Sequence, residues 1–502
     1  MPMKTAQELQ QEVIDLRAEI HKKDTQIELR NTQIKKQSDY ITNLESALKD
    51  LKKHRFGSKS EKANKDQLPL FNEAEQISDS KKPTKKTGKK NKTGNRKPLP
   101  KDLPRINDIH DLDGSQKTCP HDGSTLKHIG EVITEQLYFK PAVIKVIEHK
   151  QYKYACSCGK HIVTAKKPKE LIPKSIATPE LLSYITISKY ADALPLYRLS
   201  GMFKRIQAHI SRQVMSNWMI KCAKGIQPLV NLIRDELYNQ PCIHMDETTI
   251  QVLKEPGKKA SNKSYMWVQR AGDNILFNYY PTRGSVEVEK LIANYEGALM
   301  SDGYGGYDAI AKKFNIIHLA CWVHARRYFI KVLDDGENAN AQKMIDLIGK
   351  LYGIEKQIKG KDPDIIYQKR QEYAKPILTE IRAFLDEILH TTLPKGRMGE
   401  ALGYLHKQWH KLIGYIDDGN YPIDNNTAEN AIRPFVIGRK NWLFANTPSG
   451  AHASANIYSL IETAKAHGLN VYDYFAHIYK MLPLVESIED YEKLLPKNFK
   501  SG

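Results

Sequence analysis

The feature that most constrains the fold is a series of five short apolar segments between residues 242 and 323. In order, they are CIHMDETTIQVL, SYMWVQRAG, NILFNYYP, GALMSDGYGGY and NIIHLACWV. Short turns separate the first three, as is typical of antiparallel strands, whereas the helix-like stretches SVEVEKLIANY and YDAIAKKF precede the last two. This order predicts an α+β fold in which helices pack on a mixed sheet.

Two of the predicted strands end in an aspartate. Asp246 follows the apolar CIHM, and Asp302 follows GALMS and precedes the glycines of GYGGY, which would let a substrate backbone approach closely. A carboxylate at a buried strand end costs free energy unless it is hydrogen-bonded, paired or bound to a cation. We therefore expect a cation beside these residues, and hydrogen-bonded turn aspartates are the alternative.

A third acidic element lies in IDNNTAENAIRPFVIGRKNWLFA, residues 423 to 445. Asp424 or Asn425 can cap a helix that runs through TAENAIRP and places Glu429 about one turn in. Carboxylates from two strands and one helix would form an oxygen cage suited to Mg²⁺ or Mn²⁺. Two such ions roughly 3.5 to 4 Å apart can promote phosphodiester displacement. Glu429 is favoured over Asp424 as the third ligand.

The N-terminal segment, residues 1–55, has a heptad pattern. The a positions hold Val13, Ile20, Ile27, Ile34 and Ile41. β-Branched residues there favour a parallel two-stranded coiled coil, so we expect a homodimer, although polar residues interrupt the d positions. A single amphipathic helix docked on the rest of the protein is the alternative.

The following segment, residues 56–104, is rich in lysine and contains almost nothing to bury, which predicts a disordered linker. The formal net charge of the chain, +19, favours a polyanionic partner, with nucleic acid first and an anionic membrane surface second. The linker would then hold DNA without sequence preference or would only be a solvated connection. No apolar run of about 18 residues and no signal peptide are present, so we expect a cytoplasmic protein associated with the nucleoid.

Residues 105–175 carry the peptides TCPHDG and YACSCGKH at the two ends of an alternating, strand-like segment in which Val146 and Tyr152 are predicted to point inward. Soft ligands in two loops are typical of a zinc ribbon. The candidate Zn²⁺ ligands are Cys119, His121, Asp122, Cys156 and Cys158. Both knuckles depart from the paired Cys-x-x-Cys pattern, so a small β-module without metal is the alternative.

Residues 176–240 have a helical pattern. Thr178 and Ser211 are suited to N-caps, and Pro179 to a first turn. Polar residues open the second predicted helix as in a helix-turn-helix module, and the candidate DNA contacts are Arg212, Gln213 and Asn217. A plain helical connector is an equally good interpretation.

Basic and aromatic residues accompany the acidic ones in the chain. The predicted phosphate contacts are His324, Arg326, Arg327, Arg433, Arg439 and Lys440, and Trp442 is available to stack on a base. Solvated surface charge is the alternative. Cys321 and His324 form half of a metal-binding pattern with no second half near in sequence, which favours a packed cysteine.

Several peptides together resemble one known family. They are HRFGSKSEK (54–62), QLPLFNEAE (67–75), SKYADALPLYR (188–198), HMDET (244–248), SDGYGGY (301–307), CWVHARRYF (321–329), the segment from 423 to 445, and YSLIETAKAHGL (458–469). In this order they resemble the large transposase of the insertion sequence 66 family, a bacterial DDE transposase with an RNase H-like core. The resemblance covers essentially the whole chain.

The resemblance implies that Asp246, Asp302 and Glu429 are a catalytic triad that holds two Mg²⁺ or Mn²⁺ ions. It also implies double-stranded DNA as substrate, namely the terminal inverted repeats of the element and the target, and accessory proteins from the same element. Cleavage at the 3′ ends and strand transfer would follow. A structure-selective nuclease and a non-catalytic DNA-binding regulator are the alternatives.

The interval between Asp302 and Glu429 is 429 − 302 = 127 residues, which predicts an insertion in the catalytic fold. We therefore expect catalytic core at 241–330, a helical insertion at 331–420, the second part of the core at 421–470 and a C-terminal helical tail at 471–502.

Overall fold

A computed structural model describes residues 16–34, 36–38, 40–41, 124, 144–155 and 162–500. The chain divides into two units, one formed by Met1–Gly57 and Glu148–Gly502 and the other by Ser58–Ile147. The predicted linker and most of the zinc-ribbon-like module therefore lie outside the described residues.

The described part of the chain contains the following elements. The strands are β1 (Lys153–Ala155), β2 (Ile162–Thr164), β3 (Cys242–Val252), β4 (Lys263–Ala271), β5 (Asn274–Tyr280), β6 (Ala298–Ser301), β7 (Ile317–Ala320) and β8 (Phe444–Ala445). The α-helices are α1 (Pro179–Tyr190), α2 (Leu196–Arg205), α3 (Arg212–Gly225), α4 (Gln227–Tyr238), α5 (Ser285–Ile292), α6 (Gly306–Lys313), α7 (Trp322–Leu333), α8 (Ala339–Ile358), α9 (Pro363–Lys369), α10 (Lys375–Leu389), α11 (Arg397–Ile413), α12 (Asn426–Trp442), α13 (Pro448–Ala466), α14 (Val471–Met481) and α15 (Ile488–Lys493). The multidomain α+β organisation is confirmed.

The N-terminal heptad segment is helical over residues 16–34, 36–38 and 40–41. Ile20, Ile27, Ile34 and Ile41 of its a positions are each more than half exposed, between 54% and 62%. A row of exposed β-branched side chains is what a paired helix would cover. The pairing of two chains stays a prediction.

The main sheet has the strand order β5-β4-β3-β6-β7, and β8 pairs with the end of β3. β4 is antiparallel to β3 and β5, whereas β6 and β7 continue the sheet in parallel with β3. Parallel pairing needs crossover connections, and helices α5 and α6 provide them before β6 and β7. The predicted mixed sheet is therefore confirmed, segment by segment.

The outer strand β5 is covered by helix α13. The N–H groups of Ile275 and Phe277 donate hydrogen bonds to Thr463 Oγ1 (3.0 Å) and Ser459 Oγ (2.7 Å), which are four residues apart on one helix face. An uncovered edge strand would leave these donors free to pair with another chain. The helix therefore closes this edge with side-chain hydroxyls.

Helices α1 to α4 pack in the same hydrophobic core as the sheet. The predicted caps are confirmed, since Thr178 Oγ1 accepts from Leu181 N (3.3 Å) and Ser211 Oγ from Val214 N (3.3 Å). The C-terminal segment joins this core, because Ser183 Oγ donates to the carbonyl of Tyr472 in α14 (2.8 Å). The predicted tail is therefore packed against the helical region.

The predicted insertion is helical and has a second core of its own, built mainly from α7, α8, α10 and α11. The helix-like sequences NAQKMIDLIGKLYGIEKQIKG and PILTEIRAFLDEIL in this segment correspond to α8 and α10. This core includes Ala320 of β7 and the α7 side chains of Trp322 and Phe329, so it begins before residue 331. The boundary predicted at residue 331 falls inside that helix.

Within the segment predicted to be zinc-ribbon-like, residues 105–175, β1 and β2 form a two-stranded antiparallel hairpin. The prediction that Val146 and Tyr152 point inward is wrong, because these side chains are 94% and 68% exposed. Alternation alone does not distinguish the covered face of a strand from an open one.

None of the helices in the described part of the chain has the length and the apolar character needed to cross a membrane.

Candidate active site

Asp246 and Asp302 are brought together by the pairing of β3 with β6. The parallel register aligns Cys242 with Ala298 and His244 with Met300, an offset of 298 − 242 = 56 residues. The two aspartates differ by the same number, 302 − 246 = 56. They are therefore level with each other, two positions beyond the last paired residues of β3 and β6. Asp302 follows the end of β6 as predicted, but the prediction that a strand ends at Asp246 is wrong, because β3 continues to Val252 through its pairing with β4.

The electrostatics of Asp246 show that other carboxylates are close. Burial, and to a smaller extent the negative charges of Glu247, Asp302 and Glu429, raise its pKa to about 8, against the lowering effect of a hydrogen bond from Glu247 N. In the described part of the chain no Lys, Arg or His forms an ion pair with Asp246. Buried, unneutralised carboxylates are a common feature of functional sites.

Glu429 lies in the first turn of α12 and faces helix α7. Arg327 holds it with two parallel hydrogen bonds, from Nη1 to Oε1 (3.2 Å) and from Nη2 to Oε2 (2.8 Å). His324 Nε2 lies 3.7 Å from Oε1. Burial lowers the pKa of His324, an effect that the Glu429 charge opposes. α7 thus fixes the direction of the Glu429 carboxylate.

Cys321, His324 and Glu429 form a group of potential metal ligands whose donor atoms lie within 4.8 Å of one another. The third potential ligand of this group, Glu429, comes from α12, more than 100 residues later in the chain, which sequence spacing could not indicate. Among the described residues, Asp246, Asp302 and Glu429 do not satisfy the same distance. Cys321 Sγ is buried and accepts a hydrogen bond from Asn425 N (3.2 Å), as a packed cysteine would.

The start of α12 is anchored to β3 by Asn425, which is fully buried. Its Nδ2 donates to the carbonyl of Met245 (2.8 Å), and its Oδ1 lies 3.1 Å from His244 Nδ1. Asn425 occupies the N-cap position but makes no side-chain capping bond, whereas Asp424 Oδ1, one residue earlier, accepts from Asn426 N (3.0 Å). The helix also continues past Pro434 to Trp442, further than the predicted TAENAIRP segment.

Two residues beside the aspartates, Glu247 and Arg283, were missed by sequence analysis. Glu247, whose side chain is 3% exposed, is paired with Arg283 and accepts a hydrogen bond from Tyr307 Oη (2.7 Å). Arg283 Nη2 also lies 3.8 Å from Asp302 Oδ2, and its guanidinium stacks on Tyr304. The acidic neighbour of Asp246 in HMDET was the available signal, but its partner comes from a distant loop.

The six predicted phosphate contacts separate by environment. Arg433 and Lys440 are exposed on α12, Arg326 and His324 are partly exposed on α7, and Arg327 is paired with Glu429. Arg439 instead donates to Thr248 Oγ1 (3.0 Å) and Thr249 Oγ1 (3.1 Å), and so ties α12 to β3. Direct DNA contact by these residues stays a prediction.

The Trp442 ring is packed rather than free. It makes an edge-to-face contact with Phe435, with ring centroids 5.6 Å apart, and Lys189 Nζ lies 5.0 Å from the ring. Its predicted role in base stacking is untested. The packing of α12 on the core explains the position, because the sequence pattern ended the helix too early to place Trp442 on it.

The three predicted contacts of the helix-turn-helix module lie together at the start of α3. Arg212, Gln213 and Asn217 are all exposed, and Gln213 Nε2 donates to Asn217 Oδ1 (3.1 Å). The opposite face of α3 is buried through Met215, Trp218 and Met219. The surface is therefore open to a partner, while DNA contact stays a prediction.

The predicted zinc ligands lie outside the described residues. They are Cys119, His121, Asp122, Cys156 and Cys158. β1 ends at Ala155 and β2 begins at Ile162, so the second knuckle connects the two strands of the hairpin. The zinc-ribbon-like arrangement stays a prediction at the level of individual ligands.

Comparison with family models identifies four matching segments. Residues 174–453 match the model described as "Transposase IS66 family", and residues 459–496 match the "IS66 C-terminal element". Residues 116–159 match the "zinc-finger binding domain of transposase IS66", which supports the predicted Zn²⁺ module. Residues 43–107 match "Transposase C of IS166 homeodomain".

Curated relatives come from Sinorhizobium fredii. The uncharacterized protein y4qI is 29% identical over 493 residues, which cover 93% of this chain and 90% of the relative. The uncharacterized protein y4jD is 28% identical over 420 residues, which cover 80% and 82% of the two chains. No solved structure matches the chain.

Proposed function

Because the chain belongs to the IS66 family of transposases, we propose that it cleaves the 3′ ends of its own insertion sequence and joins them to target DNA. The observation that carries the proposal is the register of β3 and β6, which sets Asp246, within β3, level with Asp302, the residue after the end of β6. The charge of Glu429, from α12, acts on Asp246. The charges of Asp302 and Glu429 thus both act on Asp246, which supports a DDE triad of three carboxylates.

The catalytic core is proposed to be RNase H-like. The strand order β5-β4-β3-β6-β7, with β4 alone opposed to the other four strands of that path, supports this assignment. The two aspartates then occupy the central strand and its parallel neighbour. The long insertion before Glu429 is compatible with such a core, because α12 returns to β3 through Asn425.

The residues fit divalent metal ions of the Mg²⁺ or Mn²⁺ type. Arg283 lies beside the carboxylates of Glu247 and Asp302, and Arg327 pairs with Glu429. Asp246 is left without a cationic partner among the described residues. Carboxylate oxygens are the preferred ligands of such hard ions. When bound, two ions would activate the attacking oxygen and stabilise the leaving oxygen.

The chain's own residues would orient the DNA and the carboxylates. Asp302 and Glu429 keep 31% and 22% of their side chains exposed, so a phosphate group can reach them. Arg327 aims Glu429, and the exposed Arg433 and Lys440 extend a positive surface along the same helix. Phosphate contacts of this kind position DNA without reading its sequence.

The proposed partners follow from the reaction. Two ends of an element must be joined in one complex, which the N-terminal helix would assist by pairing two chains. The exposed start of α3 would contact the terminal repeats, and the module at 116–159 would bind structural Zn²⁺. We also propose action at the nucleoid together with accessory proteins of the same element.

The test uses a plasmid that carries the inverted repeats flanking the coding region. Asp246→Asn, Asp302→Asn and Glu429→Gln should each reduce 3′ nicking and strand transfer below detection in Mg²⁺, while binding of the repeats in a gel-shift assay is retained. Asp424→Asn is the matched control, because its Oδ1 can still accept from Asn426 N. Strand transfer by any of the three variants would contradict the proposal.

The products separate the alternatives. Covalent joining of element ends to target DNA is expected of a transposase, whereas a structure-selective nuclease would only cleave branched DNA. A DNA-binding regulator would bind the repeats without cleaving them in Mg²⁺.

A further inference from the structure

One face of the insertion helix α11 lies against the loop that carries Asp302. Tyr404, Gln408 and Lys411 are spaced by four and three residues, so their side chains leave the helix on the same side. Gln408 and Lys411 are both buried. A buried polar face on an inserted helix needs partners, and the Asp302 loop supplies them.

The partners are two successive backbone carbonyls of this loop and a carboxylate of helix α6, which follows the loop. Tyr404 Oη donates to the backbone carbonyl of Asp302 (2.9 Å), and Gln408 Nε2 donates to the carbonyl of Gly303 (3.3 Å). Lys411 forms an ion pair with Asp308 of α6. Three side chains from the insertion therefore hold the segment that follows β6.

The loop fits closely under α11 because residue 303 is a glycine. Gly303 has φ +87°, a left-handed conformation that other residues rarely adopt. A Cβ atom at this position would lie 3.1 Å from Tyr404 Oη and 3.3 Å from Gln408 Cδ. The close approach of loop and helix is thus built into the SDGYGGY peptide.

The backbone of this loop determines where the Asp302 carboxylate points. Its Oδ1 accepts a hydrogen bond from Tyr304 N (2.9 Å), which couples the side chain to the turn, while Oδ2 faces Arg283. On the other side, Ser301 Oγ lies 2.8 Å from His318 Nε2, and His318 Nδ1 lies 2.9 Å from Asp308 Oδ1. A change in the Asp302 peptide plane would therefore move the carboxylate.

Tyr404 also contacts the other half of the site. Its ring stacks on Tyr328 of α7, with ring centroids 4.7 Å apart and an angle of 25° between the planes. Tyr328 is the next residue after Arg327, which holds both oxygens of Glu429. One insertion side chain is thus connected to the elements that carry Asp302 and Glu429.

We propose that Tyr404 is a positioning residue, whose hydroxyl sets the Asp302 carboxylate for binding of the divalent ion. The inference rests on the proposed function, because it assumes that Asp302 is a metal ligand. Gln408 supports the same loop from the next turn of α11. The insertion therefore contributes to the site itself, through groups that touch neither metal nor DNA.

The substitution Tyr404→Phe removes the hydroxyl and leaves the ring stacked on Tyr328. Groups that orient metal ligands typically contribute about tenfold or more to metal affinity. We expect the Mg²⁺ concentration for half-maximal cleavage to rise about tenfold, with the maximal rate largely recovered at saturating Mg²⁺. Calorimetric titration of the full-length chain with Mn²⁺ should show the same loss without DNA present.

Tyr415→Phe is the matched control, because Tyr415 Oη is a buried hydroxyl of the insertion that has no hydrogen-bond partner in the described part of the chain. It should leave both the Mg²⁺ midpoint and Mn²⁺ binding unchanged. Gln408→Met, which keeps side-chain volume and removes the donor to Gly303, serves as the second variant should Tyr404→Phe fail to fold. It should raise the midpoint in the same direction.

The outcomes are distinct. If the wild-type chain neither cleaves nor joins the ends in Mg²⁺, the proposed function fails. If the wild type is active and both Tyr404→Phe and Gln408→Met match Tyr415→Phe in Mg²⁺ midpoint and in Mn²⁺ binding, the positioning role is overturned, whatever their maximal rates. A raised midpoint with weaker Mn²⁺ binding supports it.

Discussion

Replacing Asn425 by alanine should loosen the connection between the strand of Asp246 and the helix of Glu429. The side chain is fully buried and makes two contacts with β3, to the carbonyl of Met245 and to His244 Nδ1. Its loss leaves both groups buried without a partner. At about 1–3 kcal/mol for each unsatisfied group, the free energy of unfolding should fall by about 2–6 kcal/mol.

Asn426→Ala is the matched control, since the neighbouring asparagine is exposed and its side chain donates only to Asp424 Oδ2 (3.0 Å). An exposed substitution of this kind should change the free energy of unfolding by no more than about 0.5 kcal/mol.

The assay is urea unfolding in the presence of EDTA, followed through tryptophan fluorescence. Trp267 in β4, next to β3, is fully buried and will report exposure of the sheet. The rate of 3′ cleavage in Mg²⁺ should fall more in Asn425→Ala than in Asn426→Ala, because the helix that carries Glu429 loses its anchor. Equal unfolding free energies for the two variants, within about 0.5 kcal/mol, would refute the reasoning.

Three other predictions concern separate contacts. Arg283→Ala should lower the free energy of unfolding by about 1–3 kcal/mol, because Glu247 is buried and would keep only Tyr307 as partner, and Arg283→Lys should recover part of the loss in the same urea titration. Burial lowers the pKa of His244 to about 4, so the folded state binds fewer protons than the unfolded state between pH 4 and 6.5. This contribution to stability should therefore be fully present above pH 6.5 and decrease by about 3 kcal/mol as the pH falls from 6.5 to 4, a slope that His244→Gln should remove. Ser459→Ala combined with Thr463→Val should leave two N–H groups of β5 without acceptors and increase hydrogen exchange at Ile275 and Phe277, whereas unchanged exchange there would disprove the edge-covering role of α13.

Local sequence patterns were sufficient for the sheet and for the paired aspartates. Alternation and turn residues located the five strands β3 to β7, although β8 was not predicted and β3 continues past Asp246, and the spacing of the two aspartates equals the offset of the β3–β6 register. Capping chemistry also located the starts of α1 and α3, since Thr178 and Ser211 act within three residues along the chain. These features depend on interactions between residues that are close together in the sequence.

The contacts that orient the site could not be predicted in this way. Arg327 meets Glu429, and Tyr404 meets the carbonyl of Asp302, in each case across 102 residues. Asn425 resembles a helix cap in sequence but reaches the strand instead, because it is buried where α12 meets β3. Arg439 resembles a DNA contact but binds Thr248 and Thr249, since the helix continues past Pro434 and brings it back to the sheet.

The insertion is joined to the site along its length rather than only at its two ends. Trp322 Nε1 donates to the carbonyl of Leu412 (2.8 Å), and Trp322 N donates to the carbonyl of Ile423 (3.2 Å), so the first turn of α7 is bonded to the end of α11 and to the segment that leads into α12. The same helix carries Arg327 toward Glu429, and α11 carries Tyr404 toward Asp302. Forces on the insertion, such as those from bound DNA or from a second chain, would therefore reach both carboxylates together. If the proposed function holds, the insertion thus orients the site without contributing a ligand.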